Sequence, residues 1–293
     1  LTNCEVLKLD SSFSDIFSIT SKTNPDSLFI FGKSKKSFLN GIISSEKFIN
    51  LTPEVKLTIY GDVTYSINSE SKILDIELMT AKSKVKIIGP GKLTDWKIKV
   101  FSESLNSEIV RNDENLLTGC ITFYNVELTN VVIEAFNQVC EDAVNLINTE
   151  GNIDAILISN SVSDGLDIDF SNIYVNNITI KNSLNDCLDL SGGRYFIESI
   201  VLMECDDKGV SIGETSEVQI DNLLISNTNI GLAIKDSSSL NINQANIDFS
   251  NFCFALYRKK QEFGPSYLSL GKVNCDLDND IYIQKGSVVN LDN

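Results

Sequence analysis

The chain has 293 residues, 42% of them hydrophobic, with a mean hydropathy near zero and a net charge of −16. That balance suits one long enclosed core and excludes the basic surface that nucleic acid requires. Histidine is absent, which removes every histidine-based triad, acid or metal site. No apolar run approaches the roughly 20 residues of a membrane-spanning helix.

In chain order, Leu28-Phe29-Ile30-Phe31, Val55 to Tyr60, Ile73 to Leu78 and Val85 to Ile88 read as strands, divided by Gly61-Asp62, Asn68-Ser69 and Gly89-Pro90-Gly91. Ser34-Lys35-Lys36 and Lys82-Ser83-Lys84 read as solvated turns. Trp96, the only tryptophan, fits a core or cap position. Residues 1–120 are irregular and are expected to hold early coils and an amino-terminal cap, because an open solenoid end exposes core and unpaired strand edges.

From Cys140 to Tyr257 one short phrase recurs. Asp142-Ala143-Val144-Asn145-Leu146 returns as Asp164-Gly165-Leu166-Asp167-Ile168, Asp186-Cys187-Leu188-Asp189-Leu190 and Lys208-Gly209-Val210-Ser211-Ile212, and two further copies follow. The small residues Ala143, Gly165, Cys187, Gly209, Gly231 and Cys253 stand 22 residues apart throughout. A fixed period of this size signals a solenoid. Val144, Leu166, Leu188, Val210, Leu232 and Phe254 form one apolar column, and Leu146 to Leu256 form another two residues along. That alternation is a strand with one buried face. A second ladder, including Ile153, Val175, Ile197, Ile220 and Ile242, runs out of phase with the first. Each repeat therefore carries at least two short strands, with no room for a helix. Asn160, Asn182 and Asn227 follow the second ladder, where a bend favours a residue that tolerates the left-handed region. Alternation persists from Val273 to Leu291, enough for one or two final coils.

The predicted fold is all-β: a single-stranded, right-handed parallel β-helix of about 22 residues per coil spanning 1–293, with regular coils over 121–293 and rungs about 4.8 Å apart. The seven cysteines include no CxxC pair. They read as buried thiols rather than a disulfide framework or a zinc site.

Stacked coils place Asp142, Asp164, Asp186 and Lys208 in one column, and Asn145, Asp167, Asp189 and Ser211 in the next. Asp169, Ser191, Gly213 and Lys235 make a third. Carboxylates this close raise one another's pKa or recruit a cation. Paired acids can hydrolyse a glycosidic bond without a cofactor. Alternatively, Asp142, Asp164 and Asp186 hold Ca2+ against a uronate while Lys208, of lowered pKa, removes a proton. Equally open is a strand edge that charges merely solvate. Tyr257 to Phe263 forms a basic, aromatic-flanked loop; with Lys235, Arg258 suits an acidic sugar chain, and Arg194 is expected to overhang the same groove.

Ser163-Asp164-Gly165-Leu166-Asp167, Asn185-Asp186-Cys187, Asp207 to Gly213 and Gly231 to Lys235 resemble, in order, the four signatures of polygalacturonase-type glycoside hydrolases of the pectin-lyase-like superfamily: N-T-D-G, D-D-C, G-H-G-x-S-I-G and R-I-K. The resemblance implies a right-handed parallel β-helix with its site on the outside of one sheet. It matches Asp164 and Asp186 to carboxylates that activate water and Lys235 to a lysine that binds substrate carboxylate. Asn185, Lys208 and Ala233 stand where that family has its general-acid Asp, its His and its Arg.

The sequence thus leads to a secreted or cell-surface protein, processed from a longer chain since Leu1 stands in place of Met. It would cleave or bind an acidic polysaccharide. Asp164, Asp186 and Lys208 would be catalytic, and Asp167, Asp189, Lys235, Arg258 and Arg194 would bind substrate. The rival is a non-catalytic rod, as in an adhesin or phage tailspike.

Overall fold

A computed structural model describes residues 47–103, 117–275 and 281–291. Every element in them is a β-strand, and about nine turns wind into a right-handed parallel β-solenoid. Equivalent residues one turn apart lie side by side: Asp142 pairs with Asp164, Glu150 with Asn172 and Asn172 with Arg194. Longer turns keep the same register by looping out the excess, as between Ser239 and Tyr267.

Two walls arise from each repeat. The first is built from short strands such as Asp142–Ile147, Asp164–Asp169 and Leu188–Ser191. The second uses twelve-residue strands such as Glu150–Ser161 and Asn172–Ser183. Further along, both walls merge into single continuous elements, Arg194–Gly213, Glu217–Lys235 and Ser239–Tyr257.

The apolar columns point inward as their spacing requires. Val144, Leu166, Leu188, Val210 and Leu232 have no exposed surface, and Ile153, Ile178, Ile200 and Ile220 are equally enclosed. Each such side chain contributes roughly 1.5–3 kcal/mol on burial, so the stacked columns supply most of the stabilisation. Asn160, Asn182 and Asn227 adopt positive φ of 60°, 60° and 57°. Their amides also stack, with Asn182 Nδ2 donating to Asn160 Oδ1 at 2.9 Å and Asn160 Nδ2 to Asn137 Oδ1 at 2.9 Å. The small column follows from crowding: a Cβ on Gly209 would stand 2.8 Å from both the Gly231 carbonyl oxygen and Ile225 Cδ1.

The amino-terminal strands are paired differently. Lys47–Asn50 runs antiparallel to Lys56–Tyr60, which runs antiparallel to Lys84–Ile88, and Val63–Asn68 forms a hairpin with Ile73–Leu78. Parallel stacking then begins, with Val85 against Ile121 and Ile73 against Lys97. The strand expected at Leu28 to Phe31 and the turn at Ser34 to Lys36 lie outside the described residues, as does all that precedes Lys47 in the 1–120 region expected to hold a cap and early coils. Trp96 is in the core. Tyr267–Asn274 and Val288–Leu291 extend the second wall, and Ile281–Ile283 the first, forming the expected final coils.

Two expectations are corrected. Ser83 and Lys84 are buried rather than solvated: Ser83 Oγ donates to the Asp62 carbonyl at 2.6 Å, and Lys84 Nζ donates to the Leu117 carbonyl. Six cysteines are joined in three disulfides, Cys120–Cys140, Cys187–Cys205 and Cys253–Cys275, with Cα separations of 5.3, 5.5 and 6.2 Å. The physical reason is the winding itself. A turn of about 22 residues returns the chain close to its starting point, so cysteines 18 to 22 residues apart meet across one coil. Cys4 lies outside the described residues.

Closing a loop of this length restricts the unfolded chain by about 3 kcal/mol. Cys187→Ser with Cys205→Ser is therefore expected to lower the stability read from urea unfolding by about that amount, and reductant should do the same to the unaltered protein. Insensitivity to both would show that this bridge does not form.

Candidate functional site

The first wall carries the expected charged columns, and the parallel register brings them together. Asp142 abuts Asp164, and Asn145, Asp167, Asp189 and Ser211 follow one another rung by rung. In the first column Asp164 and Asp186 each reach the backbone of the next turn. Asp164 Oδ1 accepts from Asp186 N–H at 2.9 Å and from Asn185 Nδ2 at 2.6 Å. One rung on, Asp186 Oδ1 accepts from Lys208 N–H and Lys208 Nζ, both at 3.1 Å. These side chains thus substitute for a ladder partner where the first wall begins.

Lys208 is held on two sides, since its ammonium also pairs with Asp207. Lys235 is 5% exposed; its Nζ donates to Ser211 Oγ at 2.6 Å and lies 4.0 Å from Asp189 Oδ1. Asn145 is buried and its Nδ2 bridges Asp167 Oδ2 at 3.2 Å and Asp169 Oδ2 at 3.5 Å. Asp142 and Asp186 are nearly enclosed, at 2% and 4% exposure, whereas Asp164, Asp167, Asp169, Asp189 and Lys208 are half-buried.

Enclosing like charges raises their pKa values. Burial first, then repulsion from Asp186, pushes Asp164 up to about 7. Burial likewise takes Asp142 to about 7, with Asp164 adding and a hydrogen bond from Thr118 opposing. Asp167 is pushed well above the usual carboxylate range by burial and by Asp142, and Asp169 is raised by burial against the opposing bond from Asn145. Burial raises Asp186 too, while Lys208 favours its charged form. Lys208 is moved upward: burial alone would lower it, but Asp186 and Asp207 together outweigh burial.

That last direction corrects the lysine-base expectation. An ammonium paired with two carboxylates holds its proton and is unsuited to removing one from a sugar. The Ca2+ set of Asp142, Asp164 and Asp186 is not assembled as a cage either. Asp164 and Asp186 each commit an oxygen to protein donors, and among the described residues no three acidic, cysteine or histidine groups converge as metal ligands. Buried oxygens that accept no hydrogen bond among the described residues do gather on this wall: Thr122 Oγ1, Asp142 Oδ2, Asn145 Oδ1 and Asp189 Oδ1.

The other expected residues divide. Arg258 is exposed at the far end of the wall, in a turn secured by Asp236 Oδ1, which accepts from Lys259 N–H at 2.7 Å and Lys260 N–H at 2.8 Å. Lys260 pairs with Glu214. Arg194 does not overhang this wall: its Nε is 3.2 Å from Glu217 Oε2, at the start of the second wall, because Ser191-Gly192-Gly193 turns the chain before it.

Two residues carry more of the site than the sequence suggests. Asp207 shares Lys208 with Asp186. Phe170 is 59% exposed beside Asp169 and has φ of 49°, in a column of turns otherwise filled by Asn125, Asn148, Gly192 and Glu214. Its ring fits there because Gly192 lacks a Cβ, which would come within 2.6 Å of Phe170 Cδ1. A bulky residue in the left-handed region is strained, and such strain concentrates at functional sites. The signal was present in the register, as the one aromatic in a column of turn formers.

Comparison with protein-family models, curated proteins and solved structures yields no match to this chain.

Raised carboxylate pKa values fix the sign of the pH dependence. Below about pH 4 both folded and unfolded chains are protonated, so the cluster costs nothing; between about 4 and 7 the unfolded chain ionises first and stability falls. Above about pH 7 the full repulsion is present. The expected loss attributable to Asp164 between pH 5 and 8 is on the order of 2 kcal/mol. Asp164→Asn should flatten the unfolding free energy over that range relative to the unaltered chain. An identical pH profile for the two would contradict the buried-charge account.

Proposed function

We propose that the first wall is a polysaccharide-cleaving site and that the protein hydrolyses glycosidic bonds with Asp164 as proton donor. The observation that carries this reading is the contrast between neighbouring carboxyls. Asp164 titrates near 7, accepts two hydrogen bonds on Oδ1 and makes none through Oδ2 among the described residues. It can thus hold a proton on Oδ2 at neutral pH. Asp186, one rung away, has an ammonium beside it that favours its charged form. Burial raises both, but the Lys208 ammonium opposes the rise at Asp186 alone, and neighbours raised to different extents can act as an acid and base pair.

In the proposed step the Asp164 proton passes to the glycosidic oxygen as the bond from the anomeric carbon to that oxygen breaks. Water adds to the anomeric carbon and gives its proton to Asp186. Lys208 stabilises that carboxylate rather than acting as a base. Phe170 offers an exposed ring against which a sugar can stack. Arg258 and Lys259, exposed at the end of the wall, make no ion pair among the described residues and would grip a uronate or sulfate, which keeps an acidic polysaccharide as the substrate class.

Membership of the pectin-lyase-like superfamily, with polygalacturonase-type motifs, is part of this proposal. It rests on the four short signatures and on a solenoid of the right hand and period. Asn185 occupies the acid position of those motifs and donates to Asp164 instead, which moves the proton-donating role to Asp164. Three disulfides suit a secreted or surface location, where thiols are oxidised. One observation favours the rod reading instead: Asp164 and Asp186 both tie successive turns together, a structural role that needs no substrate.

The test is a panel of acidic and neutral polysaccharides scored for new reducing ends and for ultraviolet-absorbing unsaturated products, with Ca2+ or chelator. Hydrolysis without unsaturated product is expected, insensitive to chelator and falling as pH rises through about 7. Asp164→Asn, which keeps the Oδ1 acceptor, should lower kcat by at least about 100-fold. Absence of turnover across the panel, or full activity in that variant, would leave the rod.

Phe170→Asn should act oppositely on stability and substrate use. Asparagine suits the left-handed backbone, so a gain of about 1 kcal/mol in unfolding free energy is expected. KM should rise several-fold with kcat nearly unchanged; unchanged KM would remove the ring from the substrate path.

A further inference from the structure

A second feature lies away from the acid wall. Along the beginning of the second wall runs a trough of about 850 Å³, extending from Glu150 to Asn290. It crosses seven paired turns, so at roughly 4.8 Å per rung its length is about 29 Å. None of Asp164, Asp167, Asp186, Asp189, Lys208 and Lys235 lines it.

Its chemistry is uniform along that length. Tyr174 and Phe196 stack on successive rungs, with ring centroids 4.9 Å apart and planes 8° from parallel. The Tyr174 hydroxyl is fixed by a hydrogen bond to Glu198. In the same outward column Gln219, Asn241, Ser269 and Asn290 continue the line rung by rung. Tyr267, half exposed, stands in the adjacent column beyond the two amides. Aromatic carbon surface therefore sits at two places along the trough, with amide donors and acceptors between them. Charge is nearly absent, since Arg194 is matched by Glu217 and only Glu150 adds to it.

We infer that this trough binds an uncharged polysaccharide chain lying along the solenoid axis. A sugar polymer repeats apolar C–H faces and hydroxyls, which aromatic rings and carboxamides respectively satisfy. The trough's volume is that of a ligand site, and its shape is that of an extended polymer rather than a compact small molecule. A polyanion would meet Glu150 and the chain's net charge of −16 with no spare cation in the lining. A peptide strand lying along the axis would find no free backbone edge there, because the lining strands from Asn172 to Leu270 are paired on both sides. The inference does not depend on catalysis at the acid wall. The trough would anchor the protein to a neutral matrix.

Native gel electrophoresis of the full chain through gels containing soluble galactomannan, arabinoxylan, mixed-linkage glucan, polygalacturonate or alginate tests it. Retardation by at least one neutral polymer is expected; any retardation by an acidic one belongs to the acid wall and should be unchanged in the trough variants. Tyr174→Ala with Phe196→Ala should weaken retardation by the neutral polymer about tenfold or more, and so should Gln219→Ala with Tyr267→Ala, which alters only side chains at the surface. Circular dichroism and the unfolding midpoint identify a variant that fails to fold, and the second pair then decides. Asp164→Asn should bind as the unaltered chain does, so loss of cleavage and loss of anchoring are read separately. No retardation by any neutral polymer, neutral-polymer retardation that survives both trough variants in folded form, or neutral-polymer retardation lost in Asp164→Asn would each overturn the assignment.

Discussion

Parallel pairing between residues one turn apart is the constraint on which this molecule depends. It converts a period in sequence into a contact in space: what recurs every 22 residues becomes a continuous column. For apolar side chains the column is a core, and for asparagines in left-handed turns it is a hydrogen-bonded amide ladder. For aspartates it is a problem. The register that aligns Val144 with Leu166 must also align Asp142 with Asp164 and Asp167 with Asp189.

The first wall resolves that problem in two ways. Where a lysine or a donor falls in the column, the charge is matched, as Lys208 matches Asp186 and Asp207 and as the Lys235 ammonium approaches Asp189. Elsewhere the carboxyls are pushed toward neutrality, as at Asp142, Asp164 and Asp167. An acid poised near neutral pH beside a carboxylate held by an ammonium is what general acid and base chemistry needs. It is also an expensive arrangement for a surface whose only task is to be rigid. The contrast between Asp164 and Asp186 therefore carries the functional reading, more than the number of acids on the wall.

Much of this was legible from the sequence. The inward columns through Val144, Leu146 and Ile153, the asparagine bends at Asn160, Asn182 and Asn227, and the proximity of Asp164, Asp186 and Lys208 all follow from one period. Other features were not. Lys82 to Lys84 looked like a charged turn, yet the Lys84 ammonium finds a carbonyl in the interior. Cys187 and Cys205 looked like unrelated thiols, because comparing columns hides partners that meet across a single coil. Arg194 follows Ser191 by three residues but belongs to another wall, since a turn intervenes. Phe170 stood in a column of turn residues whose conformation no local propensity predicts for an aromatic.

By itself the sequence determined the all-β solenoid, its period and which residues share a column, because strand alternation and rung spacing are local and repeat without alteration. Only the tertiary structure decided how deeply each aspartate is enclosed, where each lysine points, which cysteines join and that a trough runs along the second wall. Those properties depend on how successive walls bend around the core and on side chains meeting from different parts of a coil. A one-dimensional period carries no information about that cross-section.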